Sequence, residues 1–129
     1  MNHPTADLQP TLVGEKLLLR PLVADDWDAL YAVASDPLLW EVHPASNRYQ
    51  EPVFREYFAG AMASHGALTV IDRATGSVVG GSRYANFVEH LNEIEIGWTF
   101  LARNYWGVSY NLEMKSLMLT HAFKFFDSI

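Results

Sequence analysis

The chain reads as one α/β domain whose elements run in the order β-α-α-β-β-β-α. Three observations carry that reading. From Glu93 to Phe100 the residues alternate, Ile94, Ile96, Trp98 and Phe100 against Glu93, Glu95, Gly97 and Thr99, which is the period of a half-buried strand. From Val108 to Phe126 the period changes. Glu113, Ser116, Thr120 and Lys124, continued by Asp127, recur every three or four positions among apolar neighbours, which predicts a helix buried over most of its circumference. Finally, Ala67 to Ile71 and Ser77 to Asn86 flank the charged turn Asp72-Arg73-Ala74-Thr75-Gly76 and so form an antiparallel hairpin.

The remaining elements follow in order. Thr11 to Leu22 is a first strand, with a kink or tight turn at Gly14-Glu15, and is ended by Pro21. Asp25 or Asp26 can cap a helix reaching about Ser35, with Trp27, Leu30, Tyr31 and Ala34 on its apolar face, and Asp36-Pro37 stops it. Leu38 to Tyr49 has no clear period and reads as an irregular connection. Gln50 to Ala63 is a second helix, with Pro52 tolerated in its first turn and Phe54, Tyr57, Phe58 and Met62 inward. The pair Gly80-Gly81 inside a strand predicts a bulge or a close backbone neighbour.

At 129 residues, with 50% hydrophobic and 13% aromatic residues, the chain is the size of one domain and able to build a core. It has no cysteine, so disulfides, thiolate metal sites and a cysteine nucleophile are excluded, in keeping with a reducing cytoplasm. The start, MNHPTADLQP, lacks the basic and apolar segments of a signal peptide, and no apolar run approaches the roughly 18 residues of a membrane span, so a soluble protein is expected. A net charge of −6 argues against general binding to nucleic acid or to anionic membranes, and suits a cationic amine substrate.

The strand-to-helix junction at Gly107 is where chemistry is expected. The first turn of a helix leaves backbone N–H groups without intrahelical partners and carries the positive end of the macrodipole, so the junction is either an anion site, phosphate above all, or a plain connection. Glu93 and Glu95 share a strand face roughly 6.5–7 Å apart, a spacing that fits either paired carboxylates of glycoside hydrolysis or a solvent-facing edge. His3, His43, His65, His90 and His121 form no HExxH or comparable ligand spacing, so no metal is expected. His121, in a largely apolar helix, reads as a packing residue. The turn near Gly107 is neither GxSxG nor a phosphate loop with a lysine. Trp40 and His43 are read either as a core aromatic and a surface histidine or as substrate-lining residues.

Glu95-Ile96-Gly97-Trp98, then Trp106-Gly107, then Glu113 in the second helical turn resemble the central segment of the GNAT N-acetyltransferases, in particular the RimJ/RimL-like branch. The opening Gly14 to Leu22, with its Leu-Arg-Pro-Leu, resembles the same branch, so the likeness spans the chain from about Thr11. The family's Gln/Arg-x-x-Gly-x-Gly/Ala loop stands here as Asn104-Tyr105-Trp106-Gly107-Val108-Ser109, with Arg103 beside Asn104. The resemblance implies a mixed, mostly antiparallel sheet and a cytoplasmic enzyme that moves an acetyl group from acetyl-CoA to a primary amine, on a protein N-terminus or a small molecule. It further implies acetyl-CoA over Asn104 to Tyr110, polarisation of the thioester by a backbone N–H near Trp98, Thr99 or Phe100, and an acceptor cleft walled by the segment holding Trp40 and His43. The base would be Glu95 first and Glu93 second, acting directly or through water.

In the family a further strand, a helix and a final strand pair follow the helix that here begins at Val108. Their lack leads us to expect an incomplete GNAT domain, with a free edge on the central strand and exposed Leu and Phe surface, covered by dimer formation, by exchanged elements or by further sequence. A non-catalytic module that holds CoA or a protein partner is the rival reading, and a structural domain the third.

Overall fold

Five strands and three α-helices are built by residues 7–41 and 46–129, the part of the chain that the computed structural model describes. In chain order they are β1 (Leu12–Val13), β2 (Leu17–Pro21), α1 (Trp27–Ala34), α2 (Glu51–Ser64), β3 (Ala67–Asp72), β4 (Val78–Val88), β5 (Glu93–Leu101) and α3 (Val108–Ala122). The strands lie in sequence order in one sheet, and each neighbouring pair is antiparallel. The parallel component among the described residues is a single bridge between Glu93 and Ser128.

Of the kink or tight turn expected at Gly14-Glu15 the structure has the tight turn, which divides the first strand and pairs Leu12 with Leu19. Asp26 stands at the N-cap position of α1, but its side chain makes no capping hydrogen bond there. Asp26 is instead buried at 5% exposure, where its carboxylate takes both guanidinium nitrogens of Arg20, at 2.9 and 2.7 Å, together with the Val23 N–H and the Thr69 hydroxyl. An inward partner with five donors outcompetes the two or three N–H groups a helix start offers.

The sheet buries a core on each face. On one face Leu17, Leu19, Leu68, Val70, Tyr84 and Ile94 of the strands pack with Met114 and Met118 of α3. On the other, Phe100 and Trp40 pack with Leu30 and Ala34 of α1 and Phe54 and Ala61 of α2, with Trp27 and Tyr31 beside them. Met62, expected inside, is 37% exposed, and Ala61 takes the inward position. The close approach expected at Gly80 is present. A Cβ there would meet the Phe100 carbonyl oxygen, and the β3–β4 register shifts beside it.

Two expectations about the central segment need correction. The alternation in β5 does not keep one face, because Trp98 adopts φ +53° and neither Trp98 nor Thr99 has a register partner between Arg83↔Gly97 and Gly81↔Phe100. This bulge sets two residues of β5 against Ser82 alone and inverts the parity beyond it. Ile94 and Ile96 therefore face α3, whereas Phe100 enters the opposite core. Helix α3, expected to reach Phe126, ends at Ala122, where turn bonds from Lys124 to His121 and from Phe125 and Phe126 to Ala122 fold the chain back so that Ile94 N–H reaches the Ser128 carbonyl. Its burial is a stripe through Met114, Met118, His121 and Ala122, while Leu112 is 64% exposed and Phe123 58%.

Candidate functional site

The bulge at Trp98 is held from outside the strand. Tyr57 of α2 donates its hydroxyl to the Trp98 carbonyl at 2.6 Å, and Ser82 shares a 2.7 Å hydrogen bond with the Thr99 hydroxyl. Loss of solvent around the phenol pushes Tyr57 up to about 12 against the opposing pull of Arg83 and Arg48, so it remains a protonated donor at neutral pH. Phe100 is 4% exposed among Trp40, Phe54 and Tyr57, so only its backbone is available to a ligand.

Past the bulge the chain leaves the sheet through Ala102 and a short turn of 3-10 helix, Arg103–Tyr105, into α3. Arg103, Tyr105 and Trp106 are each fixed to a different part of the scaffold. Arg103 pairs with Asp36 beyond the end of α1, which holds the Asp36 carboxyl below its usual range. The Tyr105 hydroxyl donates to Asp72 at the end of β3 at 2.6 Å, and the Tyr105 ring stacks on Tyr110 with centroids 5.0 Å apart. Trp106 donates its indole N–H to the Leu101 carbonyl while half its surface stays in solvent. Asn104 lines a surface cleft with Asp36, Ser77 and Ala102.

Gly107 precedes the first residue of α3 with φ −56° and ψ 146°, angles any residue can adopt. A Cβ there would meet nothing closer than Tyr110 Cδ2 at 3.9 Å. Nothing inside the protein therefore requires glycine at this place, and the bare backbone faces outward at the head of a 15-residue helix. Behind it, Lys16 of the β1–β2 turn donates its ammonium to Ser109 Oγ at 2.9 Å and lies 5.2 Å from the Tyr110 ring centre. The helix start thus carries a cation in addition to its free N–H groups, an arrangement that attracts anions. Glu113, one turn on, accepts the N–H groups of Lys16 and Leu17 at 2.8 and 2.7 Å, fastening the hairpin that delivers that lysine. Lys16 and the clamping role of Glu113 escape sequence reasoning because their partners lie more than ninety positions away.

Glu95 is exposed on the same sheet face as Gly97, and its Oε2 would lie 3.4 Å from a Cβ at Gly97, so the carboxylate leans toward the bulge. Its other oxygen accepts from Asn86 Nδ2 at 2.8 Å, and Asn86 itself is held at φ +55° in an irregular stretch of β4. Glu93 sits further from the bulge, tied to the Ser128 hydroxyl at 2.8 Å. Glu93 and Glu95, with Ile94, Ile96, Lys115 and Leu119, line a cleft of about 530 Å³ between β5 and α3. Trp40 is wholly buried, its indole N–H bonded to the Ala34 carbonyl, and is a core aromatic that supports the Arg48 guanidinium 5.7 Å from its ring centre. His43 lies outside the described residues. His121 packs near Tyr84 and Phe125, with Nε2 2.6 Å from the Asp7 carbonyl oxygen.

Residues 16–128 match the family model described as an acetyltransferase (GNAT) domain. Solved structures show the same fold. An acetyltransferase of the GNAT family from Bacillus anthracis superposes with a TM-score of 0.73 at 23% identity, over 89% of this chain and 67% of that one. A GCN5-related N-acetyltransferase from Brucella melitensis gives 0.76 at 21% identity, over 90% and 55%. A probable acetyltransferase of the GNAT family from Chromobacterium violaceum gives 0.75 at 25% identity, over 97% and 63%. The chain thus spans between 55% and 67% of the length of these relatives. No curated protein matches it. Among the described residues no helix is long and apolar enough to cross a membrane.

Proposed function

The chain belongs to the GNAT acetyltransferase family, and from that membership we propose that it serves the transfer of an acetyl group from acetyl-CoA to a primary amine, in the manner of the RimJ/RimL-like branch. The observation that carries the reading is Gly107, a glycine for which neither the backbone angles nor the packing supplies a reason, at a helix start reinforced by Lys16. A ligand that must touch the backbone there supplies one, and a pyrophosphate is such a ligand. The residues fit acetyl-CoA in kind: the N–H groups of Gly107, Val108 and Ser109 and the Lys16 ammonium would take its phosphates, with Asn104 and Trp106 flanking them and the Tyr110 N–H closing the first turn on the Gly107 carbonyl. When bound, acetyl-CoA supplies an acetyl group activated as a thioester, which the amine nitrogen attacks while the thiol of CoA leaves.

The chain's own contributions follow from its geometry. The bulge leaves Trp98 and Thr99 without register partners in β4, and a backbone N–H in the stretch Trp98 to Phe100 would stabilise charge developing on a carbonyl oxygen. Tyr57 and Ser82 keep that backbone from relaxing into the ladder. An amine arrives protonated at neutral pH, and Glu95, leaning toward the bulge, is the group to take its proton directly or through water. Glu93, tied to Ser128, is second.

The test is thioester consumption with a panel of primary amines, read as free thiol released. Amine-dependent release supports acetyl transfer. Saturable acetyl-CoA binding with no release for any amine would make the domain a CoA-holding module, and absence of both would leave it a structural one.

A further inference from the structure

On the α2 side of the bulge, Arg83 of β4 is 8% exposed, yet its charge has no carboxylate partner among the described residues. Its Nη2 reaches only the Tyr57 carbonyl at 3.4 Å, and its Nε has no hydrogen-bond partner. The guanidinium lies between aromatic faces, 4.5 Å from the Trp98 ring centre and 5.3 Å from that of Tyr57. A second guanidinium, Arg48, lies 5.1 Å from the same Tyr57 ring. Both arginines line one cleft of about 380 Å³ with Asn47, Val53, Glu56, Tyr57, Gly60 and Trp98. Glu56 is the acidic residue of that lining, and it forms no ion pair with either arginine.

Placing two like charges together and burying one without a counter-ion opposes folding, and cation–π contacts offset only part of that cost. The protein is acidic overall, with 15 acidic residues available against 9 basic, so the lack of a partner here is local rather than compositional. Burial and the nearby Arg48 both lower the pKa of Arg83, and a guanidinium still keeps its charge. The free hydrogen-bonding capacity therefore awaits an anion from outside the chain.

Resting on the acetyl-transfer reading, we propose that this cleft is the part of the acceptor site that receives a carboxylate carried by the amine, so that the acceptors are amino acids or short peptides rather than polyamines. A planar carboxylate accepts paired N–H bonds from a guanidinium, and the Tyr57 and Trp98 rings exclude water around it. The cleft has the volume of a small-ligand site. Arg83 stands opposite Gly97 in the β4–β5 register, two residues from the Ala85–Glu95 pair and so on the same face. A carboxylate on Arg83 thus sets an amine a few bonds away beside both Glu95 and the bulge. A polyamine would bring a second cation against two arginines and be repelled.

The test compares each of a set of amino acids and dipeptides with its C-terminal amide, in wild type and in Arg48→Gln, by turnover and by quenching of tryptophan fluorescence. Acetate and inorganic phosphate serve as competitors. We expect the free acid to exceed its amide at least tenfold in kcat/KM and in affinity, and the ratio to fall toward one in Arg48→Gln. Arg83→Met is expected to do the same, and Arg48→Gln keeps the proposal testable should that variant fail to fold. Equal use and equal binding of acid and amide would overturn it, as would a ratio unchanged in Arg48→Gln, or competition by phosphate at far lower concentration than by acetate. Acid-selective binding without turnover of any amine would uphold the subsite while refuting acetyl transfer.

Discussion

The Tyr57 hydroxyl donates a 2.6 Å hydrogen bond to the Trp98 carbonyl, joining α2 to the one residue of β5 with a positive φ. The bond fixes the direction in which the bulge turns its peptide, and with it the walls of both the proposed acyl and acceptor sites. Tyr57→Phe removes the donor and keeps the ring. It is expected to cost about 0.5–1.5 kcal/mol in urea unfolding and to lower kcat several-fold while acetyl-CoA affinity, set at the far end of the loop, stays near wild type. Unchanged kcat would show that the bulge holds its shape without this bond.

Glu95→Gln keeps the size and the Asn86 contact of the side chain but abolishes its basicity. Turnover is expected to fall about 10²- to 10⁴-fold, with acetyl-CoA affinity little altered. A loss below about threefold across the pH range would assign Glu95 a structural part, and Glu93→Gln is then the parallel measurement.

Glu113 fastens the β1–β2 hairpin to α3 through two charge-assisted bonds from backbone N–H groups. Glu113→Ala is expected to destabilise the fold by about 1–3 kcal/mol and to weaken acetyl-CoA binding, because the freed hairpin carries Lys16. Lys16→Met separates the two effects, since it is expected to weaken binding with stability nearly unchanged.

Asp26 governs acid stability. Burial pushes its carboxyl up, but the Arg20 hydrogen bonds, the Val23 N–H, the Thr69 hydroxyl and the Arg20 charge outweigh it and hold the folded-state pKa below 3.8. A depressed carboxylate stabilises the fold at pH values above its unfolded pKa, and that contribution is lost as the pH falls through the folded one. Asp26→Asn is therefore expected to lower stability by about 2–3 kcal/mol at neutral pH, with the gap to wild type closing below about pH 4. A gap that persists undiminished in acid would mean that packing, not charge, is what Asp26 supplies.

The element order and the inward face of α1 were legible because they depend on local period: Trp27, Leu30, Tyr31 and Ala34 reveal α1 without any knowledge of the sheet. Gly107 and the carboxylates of β5 were legible as types of residue in a junction. The bulge was not, since Glu93 to Phe100 alternates without interruption and only the pairing with β4 shows that Trp98 steps out of register. The end of α3 at Ala122 was likewise hidden, for no glycine or proline marks it and tertiary bonds from Asp127 to Asn92 and from Ile94 to Ser128 turn the chain. Nothing in the local pattern singles out Arg48 or Arg83. Their meeting over Tyr57 is a product of α2 crossing the sheet at the bulge.

Calorimetric titration of acetyl-CoA into the wild-type chain and into Gly107→Val tests the central claim most directly, because the protein itself has room for a side chain at position 107. The account predicts saturable one-site binding to wild type, weakened at least about tenfold in Gly107→Val, roughly 1.4 kcal/mol, with superimposable far-ultraviolet circular dichroism. Equal affinity for the two proteins, or no binding to wild type, would contradict it.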